Sequence, residues 1–194
     1  MCGERQDKSA SQAFTRKEDG STKVKSKLKQ PAPRVKILVT SDSSARGERP
    51  DASGPALRAV FEARHWHVVA CQVLPDDLAT VRTQLIVWAD VNDCDVIVTC
   101  GGTGLGPRDI TPEATRAVIE KEVPGLAELT RAEGVKKTRR AALSRGVAGI
   151  CKGKLIVNLP GSPRGACESL ESVIDILPHA IDICQGRTEH KQNG

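Results

Sequence analysis

The chain has 194 residues, of which 39% are hydrophobic and 27% are charged, and a formal net charge of +5. This length suits one domain with an appendage and allows a sizeable core, while no apolar run approaches the length of a membrane span. Two Phe, two Trp and no Tyr argue against nucleic-acid recognition by base stacking, and seven cysteines without a Cys-x-x-Cys pair argue against a disulfide framework or a zinc site.

The first 33 residues differ in composition from the rest of the chain. They hold eight basic and four acidic residues, against 21 and 20 in the remainder, and are rich in Lys, Ser and Gln. This predicts a disordered basic tail or linker over residues 1–33 ahead of a domain over residues 34–190. The domain itself is nearly neutral, which argues against nucleic acid as a partner. Because neither a signal-peptide nor a transit-peptide pattern is present, we expect a cytoplasmic protein with no membrane partner.

From residue 34 onward, short aliphatic runs alternate with longer amphipathic ones. Ser53 is a candidate cap for the first predicted helix, and Asp76 or Asp77 for the second. The first four predicted elements are a strand at 35–40, a helix near 55–64, a strand at 68–74 and a helix that ends at about residue 91.

The second half of the chain continues this alternation. Strands and helices that alternate in this way predict an α/β fold, with an open, mainly parallel sheet and helices on both faces. In such folds the ligand binds beyond the carboxyl ends of the strands. The later predicted elements are a strand at 95–99, a helix at 112–122 capped by Thr111, a helix from Pro124 to about residue 133, and a hairpin with strands at 146–151 and 154–157.

Polar loops follow the predicted strands at that edge of the sheet. Besides a glycine-rich loop after the third strand, they cover residues 40–55, 75–77 and 158–163. Each loop taken singly is more often an ordinary turn or cap than a binding site. Because all four meet at one edge of the predicted sheet, together they indicate a functional site.

The glycine-rich loop has the chemistry of an anion site. A Walker-type phosphate loop would carry Lys and Ser or Thr after its last glycine, where Pro107 and Arg108 stand, and a dinucleotide fingerprint would need a glycine at position 107. We therefore predict a less common phosphate-binding loop. The glycines that can turn backbone N–H groups towards a phosphate are Gly101, Gly102, Gly104 and Gly106.

Asp109 is the unusual residue of this loop. A carboxylate repels phosphate unless a cation accompanies it. A divalent metal, in the form of magnesium carried by a nucleotide, would explain its presence. The alternative is a loop carboxylate that caps nearby N–H groups.

Several separated motifs extend the pattern beyond this loop. In chain order they are Ser41-Asp42, Asp51-x-Ser-Gly-Pro55, Gly101-Gly-Thr-Gly104, Arg108-Asp-Ile-Thr-Pro-Glu-Ala-Thr115, Leu143-Ser-Arg145, Asn158-Leu-Pro-Gly-Ser162 and Pro178-His-Ala-Ile181. Together they resemble the molybdopterin adenylyltransferase family of molybdenum-cofactor biosynthesis. The resemblance covers about residues 34–185 and is nearest to eukaryotic G domains such as that of gephyrin.

The resemblance implies a three-layer α/β/α sandwich that transfers AMP from Mg-ATP to the terminal phosphate of molybdopterin and releases pyrophosphate. It also implies a homotrimer, and a molybdenum-insertase E-domain protein that accepts the product. The residues that match the family's catalytic and magnesium positions are Asp76 and Asp109. Those that match its molybdopterin contacts are Ser41, Asp51, Ser144, Asn158, Gly161 and Ser162. Those that match its ATP contacts are Gly101, Gly102, Thr103, Gly104, Thr111 and Glu113.

Two charged segments stand out from the family pattern. Loop 43–50 is more charged than expected, and segment 136–140 is unusually basic. A solvated helix end is the favoured interpretation of the basic segment, and contact with an anionic substrate or a partner is the alternative. A rival function is a non-catalytic molybdopterin-binding carrier or scaffold, against which the pair Asp76 and Asp109 argues.

Overall fold

The computed structural model describes residues 31–187, so the expected tail lies outside the described residues except for positions 31–33. No helix in this part of the chain is both long and apolar enough to cross a membrane. The strands are β1 (Arg34–Thr40), β2 (His67–Leu74), β3 (Val96–Cys100), β4 (Lys121–Glu122), β5 (Ala148–Cys151) and β6 (Lys154–Leu159). The helices are α1 (Asp42–Ala45), α2 (Ser53–Ala63), α3 (Leu78–Asp90), α4 (Thr111–Arg116), α5 (Pro124–Lys137), α6 (Pro163–Glu171) and α7 (Leu177–Cys184), with a 3₁₀ helix at Arg139–Leu143.

Within residues 31–187 the strands form one six-stranded sheet in the order β2-β1-β3-β6-β5-β4. Strands β2, β1, β3 and β6 are parallel, whereas β5 pairs antiparallel with β6 and β4 antiparallel with β5. In register, Val39 lies opposite Val73 and Cys100, and Cys100 lies opposite Leu159. The four parallel strands therefore end at one edge, as the sequence predicts.

The apolar runs of the central strands follow from burial on both faces of the sheet. All five residues of β3 and all six of β6 are buried. Strands covered on both faces are apolar throughout rather than alternating. One core cluster packs α2, α5, α6 and α7 against the sheet, and a second packs α3 and α4 against its other face. This arrangement confirms the predicted α/β sandwich of three layers.

The helix predicted at 112–122 is wrong in its second half. Helix α4 ends at Arg116, and Lys121 and Glu122 pair as strand β4 with the edge of the hairpin, where Glu122 lies opposite Gly149. A side chain at Gly149 would lie 2.7 Å from the carbonyl oxygen of Lys121. Because Gly149 has no side chain, Lys121 and Glu122 can approach β5 closely enough to pair with it. These two residues therefore form a strand where the sequence predicts the end of a helix. Helix α5 also runs further than predicted, to Lys137.

Two of the expected helix caps are also wrong. The first amides of α2, those of Ser53 and Gly54, donate to the carboxylate of Asp51, so Asp51 rather than Ser53 caps that helix. Thr111 lies inside α4 and is fully buried, with its hydroxyl 3.2 Å from that of Thr40. Asp77 caps α3 by accepting from the amide of Thr80 at 2.8 Å. This leaves the neighbouring Asp76 available for another role.

A glycine-to-alanine pair tests the packing at the end of β3. Gly101 has a φ of +107°, and a Cβ there would overlap the carbonyl oxygen of Thr40. Gly101→Ala is expected to lower the free energy of unfolding by about 1–3 kcal/mol from backbone strain alone. Gly125→Ala, on an exposed part of α5 with nothing within 4 Å of its new methyl group, is the matched control. It is expected to be stabilising by about 0.4–1 kcal/mol in the same urea titration.

Candidate functional site

Two cavities meet at the carboxyl edge of the sheet. The acidic cavity, of 500 Å³, is walled by the loops after β1 and β2 and by the glycine loop, and includes Asp51, Asp76 and Asp109. The serine cavity, of 390 Å³, is walled by the glycine loop, by part of the segment between α5 and β5, and by the start of α6. Both volumes are in the range of small-molecule sites. The residues that line both cavities are Gly102, Asp109, Gly161 and Ser162.

The glycine loop separates the two cavities because it packs closely against neighbouring backbone. The amide of Gly101 donates to the carbonyl of Leu159 at 3.2 Å, and Gly102 also has a positive φ, of +61°. A Cβ on Gly161 would lie 3.2 Å from the Cα of Gly101. The loop can take this path only because neither Gly101 nor Gly161 carries a side chain at their contact.

Arg145 holds the rest of the glycine loop in place. Its backbone amide donates to the carbonyl of Thr103 at 2.9 Å, and its guanidinium donates to the carbonyls of Gly104 and Asp109, each at 2.6 Å. The same guanidinium pairs with Glu113. Partial burial, the largest single effect, would raise the pKa of Glu113, but the hydrogen bond from Arg145, a backbone hydrogen bond and the charges of Arg145 and Arg116 together hold that pKa below its usual value. Sequence reasoning noted Arg145 in a motif but did not select it as a site residue.

Asp76 belongs to a reciprocal pair with Asp42. The amide of Asp42 donates to Oδ2 of Asp76 at 2.9 Å, and the amide of Asp76 donates to Oδ1 of Asp42 at 3.0 Å. The pKa of Asp76 is raised, chiefly because the half-buried carboxyl loses solvation and further because Asp42 and Asp109 carry negative charge nearby. A carboxylate in such surroundings is stabilised by a cation.

For Asp109, the structure shows one of the two roles that the sequence leaves open. Its Oδ2 accepts from the amide of Gly106 at 2.7 Å, which is the expected loop cap. A Cβ on Gly104 would lie 2.8 Å from the same oxygen, so the glycines make room for this carboxylate. Within residues 31–187, Oδ1 of Asp109 and Oδ1 of Asp76 accept no hydrogen bond, and both carboxylates line the acidic cavity.

These two carboxylates fit a magnesium ion that arrives with a nucleotide. The described residues contain no group of three or more His, Cys, Asp or Glu side chains arranged to hold a metal by themselves. Mg²⁺ commonly takes one or two protein carboxylates and completes its shell with water and substrate phosphates. Asp76 and Asp109 provide two such carboxylates.

The residues expected to contact molybdopterin divide between the cavities. Ser41 and Asp51 line the acidic cavity, and Ser144 and Asn158 line the serine cavity. The side chain of Ser41 accepts from the amide of Ser44 at 3.3 Å to cap α1. Asp51 caps α2, as described above. Ser162 caps α6 by accepting from the amide of Gly165 at 3.2 Å.

Asn158 is held inside the protein by three hydrogen bonds. Its Oδ1 accepts from the amide of Val147 at 3.2 Å, and its Nδ2 donates to the hydroxyls of Thr99 and Thr115 at 2.8 and 2.9 Å. The side chain is therefore committed to joining β6, β3 and α4. Among the expected ATP contacts, Gly102, Thr103 and Gly104 line the serine cavity, whereas Thr111 and Glu113 are not part of either described wall.

The residues of the basic segment 136–140 lie in two different environments. Arg140 lines the serine cavity, while Lys136 pairs with Glu133 at 2.6 Å on the exposed surface of α5. Lys137 and Arg139 are exposed and not part of that wall. The solvated interpretation thus holds for most of the segment, and Arg140 supplies a positive charge to the cavity.

Comparison with known proteins gives a consistent family. The family of probable molybdopterin-binding domains matches residues 36–179. The Drosophila melanogaster molybdenum cofactor synthesis protein cinnamon is 40% identical over 148 residues, which cover 76% of this chain and 25% of cinnamon. A molybdopterin adenylyltransferase of Helicobacter pylori strain J99 is 38% identical over 159 residues, which cover 78% of this chain and 88% of that protein.

The fold leads to the same family. The crystal structure of the molybdopterin biosynthesis enzyme MoaB from Thermus thermophilus superposes with a TM-score of 0.75 at 52% identity, covering 79% of this chain and 96% of MoaB. The chain spans most of these two bacterial relatives but a quarter of cinnamon. The family suggested by the separated motifs is thereby confirmed, and the chain belongs to the molybdopterin-binding domain family of molybdenum-cofactor biosynthesis.

Proposed function

We propose that this protein transfers AMP from Mg-ATP to the terminal phosphate of molybdopterin and releases pyrophosphate. The observation that carries the proposal is that two cavities share a wall formed by Gly102, Asp109, Gly161 and Ser162. A reaction between two phosphorylated substrates needs two ligand sites whose reacting ends meet. Asp109 lies at that meeting point.

In this proposal the nucleotide polyphosphate enters the acidic cavity. Asp76 and Asp109 would hold the magnesium ion, which supplies charge neutralisation between the reacting phosphates. Arg49 and Arg108 line the same cavity and can attract the polyphosphate. The glycine loop separates this cavity from the other one, and the α-phosphate would be oriented along the loop.

Molybdopterin would occupy the serine cavity. This reverses part of what the family resemblance implies, because Ser41 and Asp51 would then lie beside the nucleotide, and Thr103 and Gly104 beside molybdopterin. Ser144 and Ser162 offer hydroxyl groups in the serine cavity, and Arg140 offers a positive charge that suits the terminal phosphate. An oxygen of that phosphate forms a bond to the α-phosphorus of ATP, and the bond from the α-phosphorus to pyrophosphate breaks. No covalent enzyme intermediate is needed. Cys100 is unsuited to form one, because burial raises the pKa of its thiol to about 12.

The proposal extends to the partners of the reaction. We infer a homotrimer and transfer of the product to a molybdenum-insertase E domain. Cinnamon supports the second point, because this chain matches only a quarter of its length and leaves room for further domains there. The six described cysteines are free thiols, which supports a reducing compartment such as the cytoplasm as the place of the reaction.

The direct test is to incubate the purified chain with molybdopterin and Mg-ATP. Adenylylated molybdopterin and an equal amount of pyrophosphate are expected, and neither should form when EDTA removes the magnesium. Tight binding of molybdopterin without either product would contradict the proposal and indicate a carrier of the same fold.

The carboxylates are tested by amide substitutions of the same shape. Asp76→Asn and Asp109→Asn are each expected to lower the adenylylation rate by at least about 10²-fold, the scale for loss of one electrostatic element of a transition state. Molybdopterin affinity should remain largely unchanged. Asp175→Asn is the matched control, since Asp175 is 78% exposed and pairs with Arg64 on another surface. Turnover like that of the wild type in either variant would overturn the assignment.

The assignment of molybdopterin to the serine cavity is tested by Ser144→Ala. Removal of one hydroxyl hydrogen bond should weaken molybdopterin binding by about 5- to 10-fold, with Mg-ATP affinity unchanged. Thr83→Ala, at an exposed position of α3 that is not part of either described cavity wall, serves as the control. A weakened affinity for Mg-ATP with intact molybdopterin binding would mean that the two ligands occupy the opposite cavities.

A further inference from the structure

Arg108 makes an exposed, two-pronged ion pair at the rim of the acidic cavity. Its Nε donates to Oδ2 of Asp42 at 3.0 Å, and its Nη2 lies 2.9 and 2.8 Å from Oδ1 and Oδ2 of the same carboxylate. The pair joins the tip of the glycine loop to the first residue of α1. The side chain of Arg108 is nevertheless 64% exposed, against 25% for Asp42.

The positive charge of Arg108 lies among the carboxylates of the acidic cavity. Its guanidinium contacts Asp42 directly, and Arg108 lines the same cavity wall as Asp76 and Asp109. The geometry thus places one positive charge close to the two carboxylates proposed to hold the metal.

The ion pair is connected directly to the carboxylate proposed to hold the metal. Asp42, which accepts from Arg108, also exchanges backbone hydrogen bonds with Asp76. A divalent cation between Asp76 and Asp109 would supply the positive charge that Arg108 now provides. A polyphosphate would at the same time offer oxygens that suit the planar guanidinium fork.

Release of Arg108 would leave no buried group without a partner. Asp42 would keep its hydrogen bond from the amide of Asp76 and its contact with solvent. Arg108 lies on the wall of the same cavity, so a change of rotamer is enough to turn its long side chain inwards. An exposed pair of this kind costs little to open.

We propose that Arg108 exchanges partners during the reaction, from Asp42 in the free protein to the polyphosphate of the bound nucleotide. This inference rests on the proposed adenylyl transfer and adds a nucleotide-binding residue to it. In the free protein Arg108 supplies the positive charge that the metal ion would otherwise supply near these carboxylates. With Mg-ATP bound, it contacts the phosphates and neutralises part of their charge.

The exchange predicts opposite effects on metal and nucleotide binding in Arg108→Gln. Mn²⁺ alone, measured by electron paramagnetic resonance without nucleotide, should bind about 3- to 10-fold more tightly, because a positive charge near its carboxylates is removed. Mg-ATP, measured by calorimetry, should bind about 10-fold more weakly, because the charge-assisted contact is lost. Arg108→Lys keeps the charge and should leave Mn²⁺ affinity unchanged.

Arg46→Gln is the matched control for these measurements. Arg46 is a neighbouring exposed arginine that pairs with Glu48 and is not part of the described wall of the acidic cavity. Its substitution removes the same charge and should change neither affinity by more than about 2-fold, because exposed charges are well screened. Weaker binding of both Mn²⁺ and Mg-ATP in Arg108→Gln, or no change in either, would overturn the exchange.

Asp42→Asn distinguishes an exchange of partners by Arg108 from a permanent Arg108–Asp42 pair that only shapes the site. The asparagine can still accept from the amide of Asp76 but no longer holds Arg108 as an ion pair. If Arg108 exchanges partners, this variant binds Mg-ATP at least as tightly as the wild type. If the pair is a brace that shapes the site, Asp42→Asn weakens Mg-ATP as much as Arg108→Gln does, and the inference falls.

The inference and the proposed function can fail separately. A wild-type chain that forms adenylylated molybdopterin, together with an Arg108→Gln variant that binds Mn²⁺ and Mg-ATP like the wild type, would reject the role of Arg108 alone. A wild-type chain that binds no Mg-ATP would reject both.

Discussion

The site depends on the close approach of three backbone segments around Gly101. The end of β1 at Thr40, the end of β6 at Leu159 and the following Gly161 all contact this residue, and no side chain fits between them. The parallel sheet brings these strand ends to one edge, and the positive φ of Gly101 turns the chain across it. The glycine loop therefore stands as a thin wall with a cavity on each side. A bulkier loop would fill the space in which two ligands could meet.

Charge at this edge is balanced by two arginines with different freedom. Arg145 is half-buried and donates to loop carbonyls as well as to Glu113, so its position is determined by the loop that it supports. Arg108 is exposed and pairs with a single carboxylate, Asp42. The first arginine keeps the common wall in shape. The second is free to respond to a ligand, and this difference separates a structural role from the one we propose.

The location of the candidate site could be predicted, because glycines and carboxylates follow strands that end at one edge of the sheet, where the two cavities lie. Glycines before a helix start indicate an anion site, and a carboxylate among them indicates a cation or a cap. The roles of Asp51 and Asn158 were not predictable in this way. Asp51 caps a helix, and Asn158 joins Thr99 to Thr115, so their contacts are inside the fold. Arg145 was not predicted as a site residue, because most of its partners are backbone carbonyls, which no sequence motif reveals.

The sequence by itself determined the α/β class, the strands that run to the common edge and the family, since these follow from local apolar patterns and short motifs. Only the tertiary structure decided where α4 ends, because Lys121 and Glu122 pair with a hairpin more than twenty residues later, at Ile150 and Gly149. It also decided that the expected molybdopterin contacts lie in two cavities rather than one. Both outcomes depend on contacts between residues far apart in the chain, whose energies no local pattern contains.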